Sequence, residues 1–222
     1  MRVISFSLWG NNPKYTVGAI KNAELAKEIY PGWICRFYCA NDVPNPIIFQ
    51  LEGMDNVEVI MVDEVGSWKF TTQRFLAIDD PEVKIIIFRD TDSRLNSREQ
   101  EAVTKWLQSN KSLHIMKDHP YHGGFPILAG MWGLKTTEFK GSMASLLEKY
   151  NNVEQYHYDQ IFLKNWLWPL YAQDFIAHDE FFLKKPFPTK RDGLNYVGKP
   201  FDADDSICLP GADEALRRAG IR

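Results

Sequence analysis

Two carboxylates, Asp90 and Asp92, follow a largely apolar run at residues 83–89. A run of β-branched and aromatic residues of that length predicts a buried central strand, and open α/β folds bind their ligands at the edge where such strands end. The single intervening residue, Thr91, allows both carboxylates to turn to the same side. Two oxygen ligands so placed suit a hard divalent cation, Mg²⁺ or Mn²⁺, which in turn holds a diphosphate. The spacing therefore predicts a metal-dependent enzyme that uses a nucleotide-linked donor.

A second pair with the same spacing, Asp202 and Asp204, has no apolar run before it and is followed by another acidic residue. This pair is interpreted as a solvated acidic loop, so the context separates the two pairs where the motif alone does not. For Asp90 and Asp92 the alternative is a strand-end turn whose carboxylates cap a helix predicted to begin near residue 97.

Cationic and aromatic residues are candidates for binding the donor. Lys14 and Arg74 are the candidates for a diphosphate, Arg74 because a planar guanidinium matches phosphate oxygens in pairs. Trp9 and Tyr15 are candidates for stacking on a base, and the alternative for both is a place in the core or at its rim.

Polar residues further along the chain have candidate roles of a different kind. Asp159 is the first residue of a predicted helix rich in aromatics. It is either a general base for an attacking hydroxyl or an N-terminal charge favoured by the helix dipole. His178 is either a third metal ligand from a remote loop or a capping or surface histidine. His122, in a polar loop with Gly123, is predicted to contact substrate hydroxyls or to belong to a simple surface loop, in preference to a zinc site.

Length and composition limit the fold classes and binding partners that are possible for the chain. The 222 residues and the hydrophobic content of 45% are sufficient for one sizeable α/β core. A formal net charge of −3 leaves no basic surplus to neutralise phosphates, which excludes nucleic acid as the main partner. We expect no signal peptide and no membrane span, because no apolar stretch is long enough. Cys35, Cys39 and Cys208 are expected to be reduced, as in a cytosolic protein.

Strand and helix patterns alternate along the first half of the chain. Strands are predicted at residues 3–7, 33–39, 57–62, 83–89 and 112–117, and helices at residues 15–29, 47–51, 70–78 and 98–107. This alternation predicts a doubly wound, mainly parallel sheet flanked by helices. After residue 118 the predicted elements are a glycine-broken strand at 127–134, helices at 139–150 and 159–168, and a short helix at 212–218.

Several short motifs, in this order, resemble one family. They lie at residues 5–10, 88–94, 130–133, 158–160 and 178–179, and together they are far more specific than the paired carboxylates alone. The chain resembles GT-A fold glycosyltransferases with an Asp-x-Asp motif, and most closely the small glycosyltransferase domain of chlorella viruses and related bacterial sequences. The resemblance covers about residues 1–200.

The resemblance implies a GT-A fold and a UDP-linked sugar donor, with Mn²⁺ or Mg²⁺ between its diphosphate and the paired carboxylates Asp90 and Asp92. It also implies places for the other candidates: Ser7, Trp9 and Tyr15 near the nucleoside, Arg74 near the donor phosphates, Gly130 beside the donor sugar, and His122, Gly123 and Asp159 on the acceptor side. If the reaction inverts the sugar anomer, Asp159 must take the proton of the acceptor hydroxyl, whereas a retaining reaction needs no such base.

We therefore expect a single GT-A domain at residues 1–200, with a nucleotide-sugar-binding half at 1–117, an acceptor-side half at 118–200 and a C-terminal tail at 201–222. The expected activity is metal-dependent transfer of a sugar from a UDP-hexose or UDP-deoxyhexose to a hydroxyl of a saccharide or glycoprotein glycan. The expected location is the cytoplasm, that of the host if the chain is viral. The alternatives are a sugar nucleotidyltransferase, although residues 10–14 are a poor version of its phosphate loop, and a non-catalytic carbohydrate-binding domain of the same fold.

Overall fold

The computed structural model describes residues 1–150 and 153–221, which fold around one seven-stranded sheet. The strands are β1 (Arg2–Leu8), β2 (Ile34–Ala40), β3 (Val57–Val62), β4 (Ile85–Arg89), β5 (Leu113–Lys117), β6 (Met131–Lys135) and β7 (Phe175–Asp179). The α-helices are α1 (Pro13–Ile29), α2 (Asn45–Glu52), α3 (Ser97–Gln108), α4 (Met143–Lys149), α5 (Tyr158–Phe162), α6 (Trp168–Tyr171) and α7 (Ala212–Arg218). There are also 3₁₀ segments at Lys69–Asp79, Pro120–His122 and Thr136–Glu138, and a π turn at Leu163–Leu167.

The sheet is mixed and mainly parallel, with the strand order β3-β2-β1-β4-β6-β5-β7. β6 runs antiparallel between β4 and β5, and every other neighbouring pair is parallel. α1 and α2 supply the crossovers that connect parallel neighbours. The carboxyl ends of the parallel strands consequently meet at one edge of the sheet, where β6 begins. The predicted α/β fold, with a mainly parallel sheet flanked by helices, is confirmed.

Alternating side chains along the strands fill a separate core on each face of the sheet. On one face Phe88 of β4 stacks on Trp132 of β6, with ring centroids 4.1 Å apart. On the opposite face Ile87 packs in the same cluster as Trp106 of α3. Because side chains alternate along a strand, Asp90, directly after β4, lies on the face of Phe88.

Two predicted elements begin later than expected. The strand predicted at residues 127–134 begins only at Met131, as β6. The helix predicted at residues 139–150 begins at Met143, as α4. Asp79 fixes this start, because its carboxylate accepts the backbone N–H of Met143 at 2.6 Å and so satisfies a donor of the first turn.

The helix predicted at residues 159–168 was expected to end before Pro169, and instead it continues. After α5 the chain forms the π turn Leu163–Leu167 and then α6, in which Pro169 occupies the first turn. A proline is tolerated there because the N–H groups of a first turn have no intrahelical acceptor. Within the described residues, no helix has both the length and the apolar content that a membrane crossing requires.

β7 has no counterpart among the predicted strands. It is five residues long, ends in the polar residues His178 and Asp179, and pairs in parallel with β5. His178 was expected in a remote loop and lies in the sheet instead. The strand is stabilised by a partner far away in the sequence, and such pairing leaves no local pattern.

The C-terminal segment at residues 201–221 packs against the rest of the domain. The backbone N–H of Phe201 donates to the Asp92 carbonyl at 2.8 Å, and Asp205 forms an ion pair with Arg94 at 2.9 Å. α7 adds a small buried apolar cluster. The segment expected as a tail therefore contacts the loop that carries the paired carboxylates.

A buried histidine pair joins β5 and β7. His114 Nε2 and His178 Nδ1 lie 2.8 Å apart, and both rings are buried. Burial, and then the positive charge of Arg98, lowers the pKa of His178 to about 4. Burial also lowers the pKa of His114, and His178 adds to this effect. Both rings are therefore neutral at pH 7.

We predict that the fold loses stability as the pH falls from 7 toward 4. An unfolded histidine titrates near pH 6.5, so below that pH the unfolded chain binds a proton that folded His178 does not, down to the folded pKa of about 4. The loss that His178 causes at pH 5 is about 2 kcal/mol. Urea unfolding at pH 7 and pH 5 measures it, with His178→Gln as the comparison, which should lose less stability than the wild type between the two pH values. Equal losses in both chains would contradict the assignment.

Candidate active site

A cleft of about 280 Å³ opens at the carboxyl edge of the sheet. Nine of the candidate residues line it: Ser7, Trp9, Tyr15, Arg74, Asp90, Asp92, His122, Gly130 and Asp159. These residues come from distant parts of the sequence, and the common edge of the parallel strands brings them together. The volume is near the lower end of the range for small-molecule sites.

Ser7 fixes the floor of the cleft at the end of β1. Its hydroxyl donates to the Thr71 carbonyl at 3.1 Å and accepts the backbone N–H of Arg74 at 3.0 Å. These two bonds tie the 3₁₀ segment Lys69–Asp79 to the sheet edge. The backbone of Arg74 is thereby held beside the ends of β1 and β4.

The guanidinium of Arg74 joins two carboxylates from different parts of the chain. Its Nη1 lies 2.6 Å from Asp90 Oδ1 and its Nη2 lies 2.8 Å from Asp159 Oδ2. Burial opposes the charge on Arg74, but Asp90 and Asp159 hold its pKa above the usual value. Burial raises the pKa of Asp159, an effect that Arg74 opposes and Asp90 reinforces. The floor of the cleft is therefore a buried ionic network.

Lys14, at the start of α1, pairs with the second carboxylate of the motif. Its Nζ lies 2.7 Å from Asp92 Oδ2. Burial opposes the charge on Lys14, and the hydrogen bond and charge of Asp92 raise its pKa above the usual value. Burial, and then repulsion from Asp90, raises the pKa of Asp92 in spite of the lysine. Asp92 thus keeps a raised pKa although Lys14 is its partner, and the Asp90 side chain is 52% exposed.

Two glycines allow the backbone to approach this loop. A Cβ on Gly130 would lie 2.0 Å from Asp90 Oδ2, and a Cβ on Gly18 would lie 2.1 Å from the Thr91 carbonyl oxygen. Any larger residue at either position would displace the motif. The residue before β6 and a residue of α1 therefore pack directly against the loop that carries the two carboxylates.

The donor set fits a divalent cation that shares its coordination with a substrate. Asp90 and Asp92 offer carboxylate oxygens on one loop, and repulsion between them favours a cation. Among residues 1–150 and 153–221, no group of three or more His, Cys, Asp or Glu side chains converges as a complete cage. Two carboxylates, completed by phosphate oxygens and water, are the usual ligands of Mg²⁺ beside a bound phosphate.

Three candidates are absent from the cleft lining: His178, Gly123 and Lys14, of which Lys14 contacts the site through its ion pair with Asp92. His178 lies in β7, three strand positions from β4, a separation of roughly 14 Å at the usual strand spacing. Its imidazole bonds to His114, so in this structure it is not placed as a third ligand of Asp90 and Asp92. Gly123 packs beside the ring of Phe182 and is absent from the cleft lining.

His122 does line the cleft, as a neutral side chain. Its Nδ1 accepts the backbone N–H of Asp118 at 3.0 Å. Burial, followed by the positive charges of His119 and Lys117, lowers the pKa of His122 to about 3. The imidazole is thus available for hydrogen bonding and carries no charge at neutral pH.

Ten further residues line the cleft without having been predicted: Trp68, Thr71, Thr91, Leu128, Ala129, Met131, Tyr156, His157, Gln160 and Gly198. Gln160 directly follows Asp159 in the sequence, and this position is the feature from which its place in the cleft could be predicted. Trp68 and Tyr156 lie in irregular segments, where no periodicity indicates the direction of a side chain.

Comparison with known proteins gives a result for the fold alone. No family model matches the chain, and no curated protein matches it. Among solved structures, the galactosyltransferase LgtC in complex with donor and acceptor sugar analogues matches 82% of this chain and 74% of its own, at 14% identity and a TM-score of 0.55. An active-site mutant of LgtC matches 99% of this chain and 95% of its own, at 14% identity and a TM-score of 0.54.

A third structure, residues 1–349 of TarS from S. aureus, matches 84% of this chain and 58% of its own, at 13% identity and a TM-score of 0.52. The chain has the GT-A fold. The glycosyltransferase resemblance is thereby supported at the level of architecture, and the narrower resemblance to the chlorella virus domain stays a prediction.

We predict that Asp90→Asn lowers the pKa of the Asp92 carboxyl, because it removes the neighbouring negative charge and leaves Lys14 in place. Lys14→Met is expected to shift the pKa of Asp92 the opposite way. Carbon-detected NMR titration of the side-chain carboxyl groups measures both shifts. Asp55→Asn is the matched control: it removes an exposed aspartate outside the cleft lining, whose partner is Lys27. An Asp92 pKa that is unchanged in Asp90→Asn would contradict the proposed repulsion.

Proposed function

We propose that the chain is a glycosyltransferase that moves a sugar from a nucleotide-sugar donor, a UDP-hexose or UDP-deoxyhexose, to a hydroxyl of a saccharide or glycoprotein glycan. The observation that carries the proposal is the arrangement of Asp90, Asp92, Lys14, Arg74 and Asp159 at one strand edge of a GT-A fold. In this proposal residues 1–117 bind the donor and residues 118–200 supply the acceptor side.

Asp90 and Asp92 would hold Mg²⁺ or Mn²⁺, which supplies positive charge to the departing diphosphate. Lys14 and Arg74 place two cationic donors beside the same carboxylates, at 2.7 and 2.6 Å. Arg74 is held by Asp90 and Asp159, and we propose that its positive charge lies close to the donor phosphates. Gly130 lines the cleft in close contact with the Asp90 carboxylate, and the donor sugar is proposed to lie beside it.

Asp159 is proposed as the general base of an inverting transfer. It accepts the proton of the acceptor hydroxyl as that oxygen bonds to the anomeric carbon and the bond from this carbon to the diphosphate breaks. Its place in the cleft and its raised pKa support this role, because burial makes the carboxylate a stronger base. Arg74 orients the carboxylate through one oxygen at 2.8 Å.

A specific contact weighs against the nucleotidyltransferase alternative. The backbone N–H of Gly10, in the loop after β1, donates to the Asp42 carboxylate at 2.8 Å. This donor is therefore already paired, whereas a phosphate-gripping loop needs free N–H groups. Release of UDP with formation of a glycoside separates a transferase from both a nucleotidyltransferase and a binding module.

We predict that Asp92→Ala abolishes metal-dependent binding of UDP and leaves the fold intact. Loss of one carboxylate ligand should weaken the affinity by about 100-fold or more. Calorimetric titration with UDP and a panel of UDP-sugars, each with Mn²⁺ and with EDTA, measures the loss. Asp204→Ala, in the exposed second Asp-x-Asp pair, is the matched control and should bind as the wild type does. Wild-type transfer activity in Asp92→Ala would overturn the proposal.

We predict that Asp159→Asn lowers kcat by about 10²- to 10⁴-fold, because the amide has no basic oxygen to accept the proton. Its affinity for UDP with Mn²⁺ should change little, since Asp90 still pairs with Arg74. Steady-state kinetics measures the rate, and NMR of the product reports the anomer. A product that retains the donor's anomeric configuration, or a rate that survives the substitution, would remove Asp159 from this role.

A further inference from the structure

Six aromatic side chains form a continuous arc of ring contacts, and five of them line the cleft; the sixth, Phe125, extends the arc beyond the cleft lining. In spatial order they are Tyr15, Trp9, Trp68, Tyr156, His157 and Phe125, with successive ring centroids 6.4, 6.4, 5.0, 3.9 and 5.3 Å apart. The charged residues of the site lie on the floor, and the arc forms the rim. The cleft therefore offers ionic contacts at its base and apolar faces at its opening.

The two ends of the arc have different geometries. Trp9 and Tyr15 are nearly parallel, at 14°, and Trp9 is held in place by the loop after β3, where a Cβ on Gly66 would lie 2.0 Å from its side chain. The ring planes of Trp68 and Tyr156 meet at 79°, so the two side chains form a corner and not a parallel-sided slot. A flat base gains most from parallel rings, whereas a corner matches a thicker, non-planar ring.

Trp68 and Tyr156 are unusually exposed for residues that line a cleft, at 44% and 63%. Large apolar side chains that converge in the open at one place commonly mark a binding site. Both belong to segments that the structure ties together, because the Trp68 backbone N–H donates to Glu154 Oε1 at 2.8 Å. The corner is thus built from two fixed segments.

His157 holds the turn that presents Tyr156. It has a positive φ of 67°, which is uncommon for a residue other than glycine, and its Nδ1 hydrogen-bonds with the side-chain amide of Gln160. Strained backbone of this kind persists where surrounding contacts enforce it, and it concentrates at functional sites. Tyr156 is therefore placed three residues from Asp159, the proposed base, in a defined conformation.

We propose that Trp68 and Tyr156 form a subsite for a neutral pyranose ring of the saccharide acceptor. A pyranose has an apolar face of C–H groups, which suits an aromatic ring, and an edge of hydroxyls, which can reach Asp159 and Gln160 on the same side of the cleft. Glu154 brings a negative charge to the corner, which disfavours an acidic sugar. This inference rests on the proposed glycosyltransferase function and names the class of its acceptor.

The test uses the full chain with UDP and Mn²⁺ present. Tryptophan fluorescence and calorimetry follow the titration of methyl glucoside, methyl galactoside, methyl mannoside, lactose, maltose and cellobiose. Trp68→Ala and Tyr156→Ala are each expected to weaken the binding of at least one of these sugars by about tenfold or more, and Tyr156→Phe to keep most of its affinity because the ring remains. Phe49→Ala, an exposed aromatic of α2 outside the cleft lining, is the matched control.

The affinity for UDP with Mn²⁺ is measured in the same variants, and it should stay within about twofold of the wild-type value. Weaker UDP binding in Trp68→Ala and Tyr156→Ala would assign the corner to the nucleobase and overturn the proposal. Two other results would also overturn the proposal. One is a wild-type chain that binds UDP but none of the six sugars, and the other is sugar binding of equal affinity in the wild type and both alanine variants. If the sugars bind through the corner and no UDP-sugar binds, the glycosyltransferase function fails while the saccharide subsite stands.

Discussion

The buried guanidinium of Arg74 is the constraint on which the rest of the cleft depends. A buried charge without partners is costly, so Arg74 requires the carboxylates of Asp90 and Asp159 within hydrogen-bonding distance. These two residues come from the end of β4 and the start of α5, which lie far apart in the sequence. The need to neutralise one charge therefore fixes the relative positions of two elements and of the segment that carries Arg74.

The same network leaves the site short of positive charge. Asp90, Asp92 and Asp159 contribute three negative charges, and Lys14 and Arg74 contribute two positive ones, so the formal sum is −1. Asp90 still repels Asp92 in the presence of Lys14. A further cation beside the two carboxylates would stabilise both. The proposed binding of a nucleoside diphosphate together with a divalent cation rests on this charge balance.

The sequence predicts those parts of the fold that have a strong local signal. Apolar runs identify β1 to β5, and the rule that ligands bind at strand ends predicts the place of Asp90 and Asp92, which line the cleft. Ser7 also lines it, as the resemblance implies. β7 escapes prediction because it is short and depends on pairing with β5. The sequence therefore suggests a remote loop for His178, as a third ligand or a capping or surface histidine, whereas it lies in the sheet three strand positions from β4.

The rim of the cleft is less predictable than its floor, for a physical reason. Floor residues sit at the ends of regular strands, whose alternation dictates the direction of each side chain. Trp68 and Tyr156 lie in segments with no repeating backbone geometry, and their direction is set by tertiary bonds such as that from Trp68 to Glu154. A fold shared at 13–14% identity does not identify the ligand, because one fold hosts many functions. The choice of substrate is therefore expected to lie in the irregular rim, where sequence patterns carry the least information.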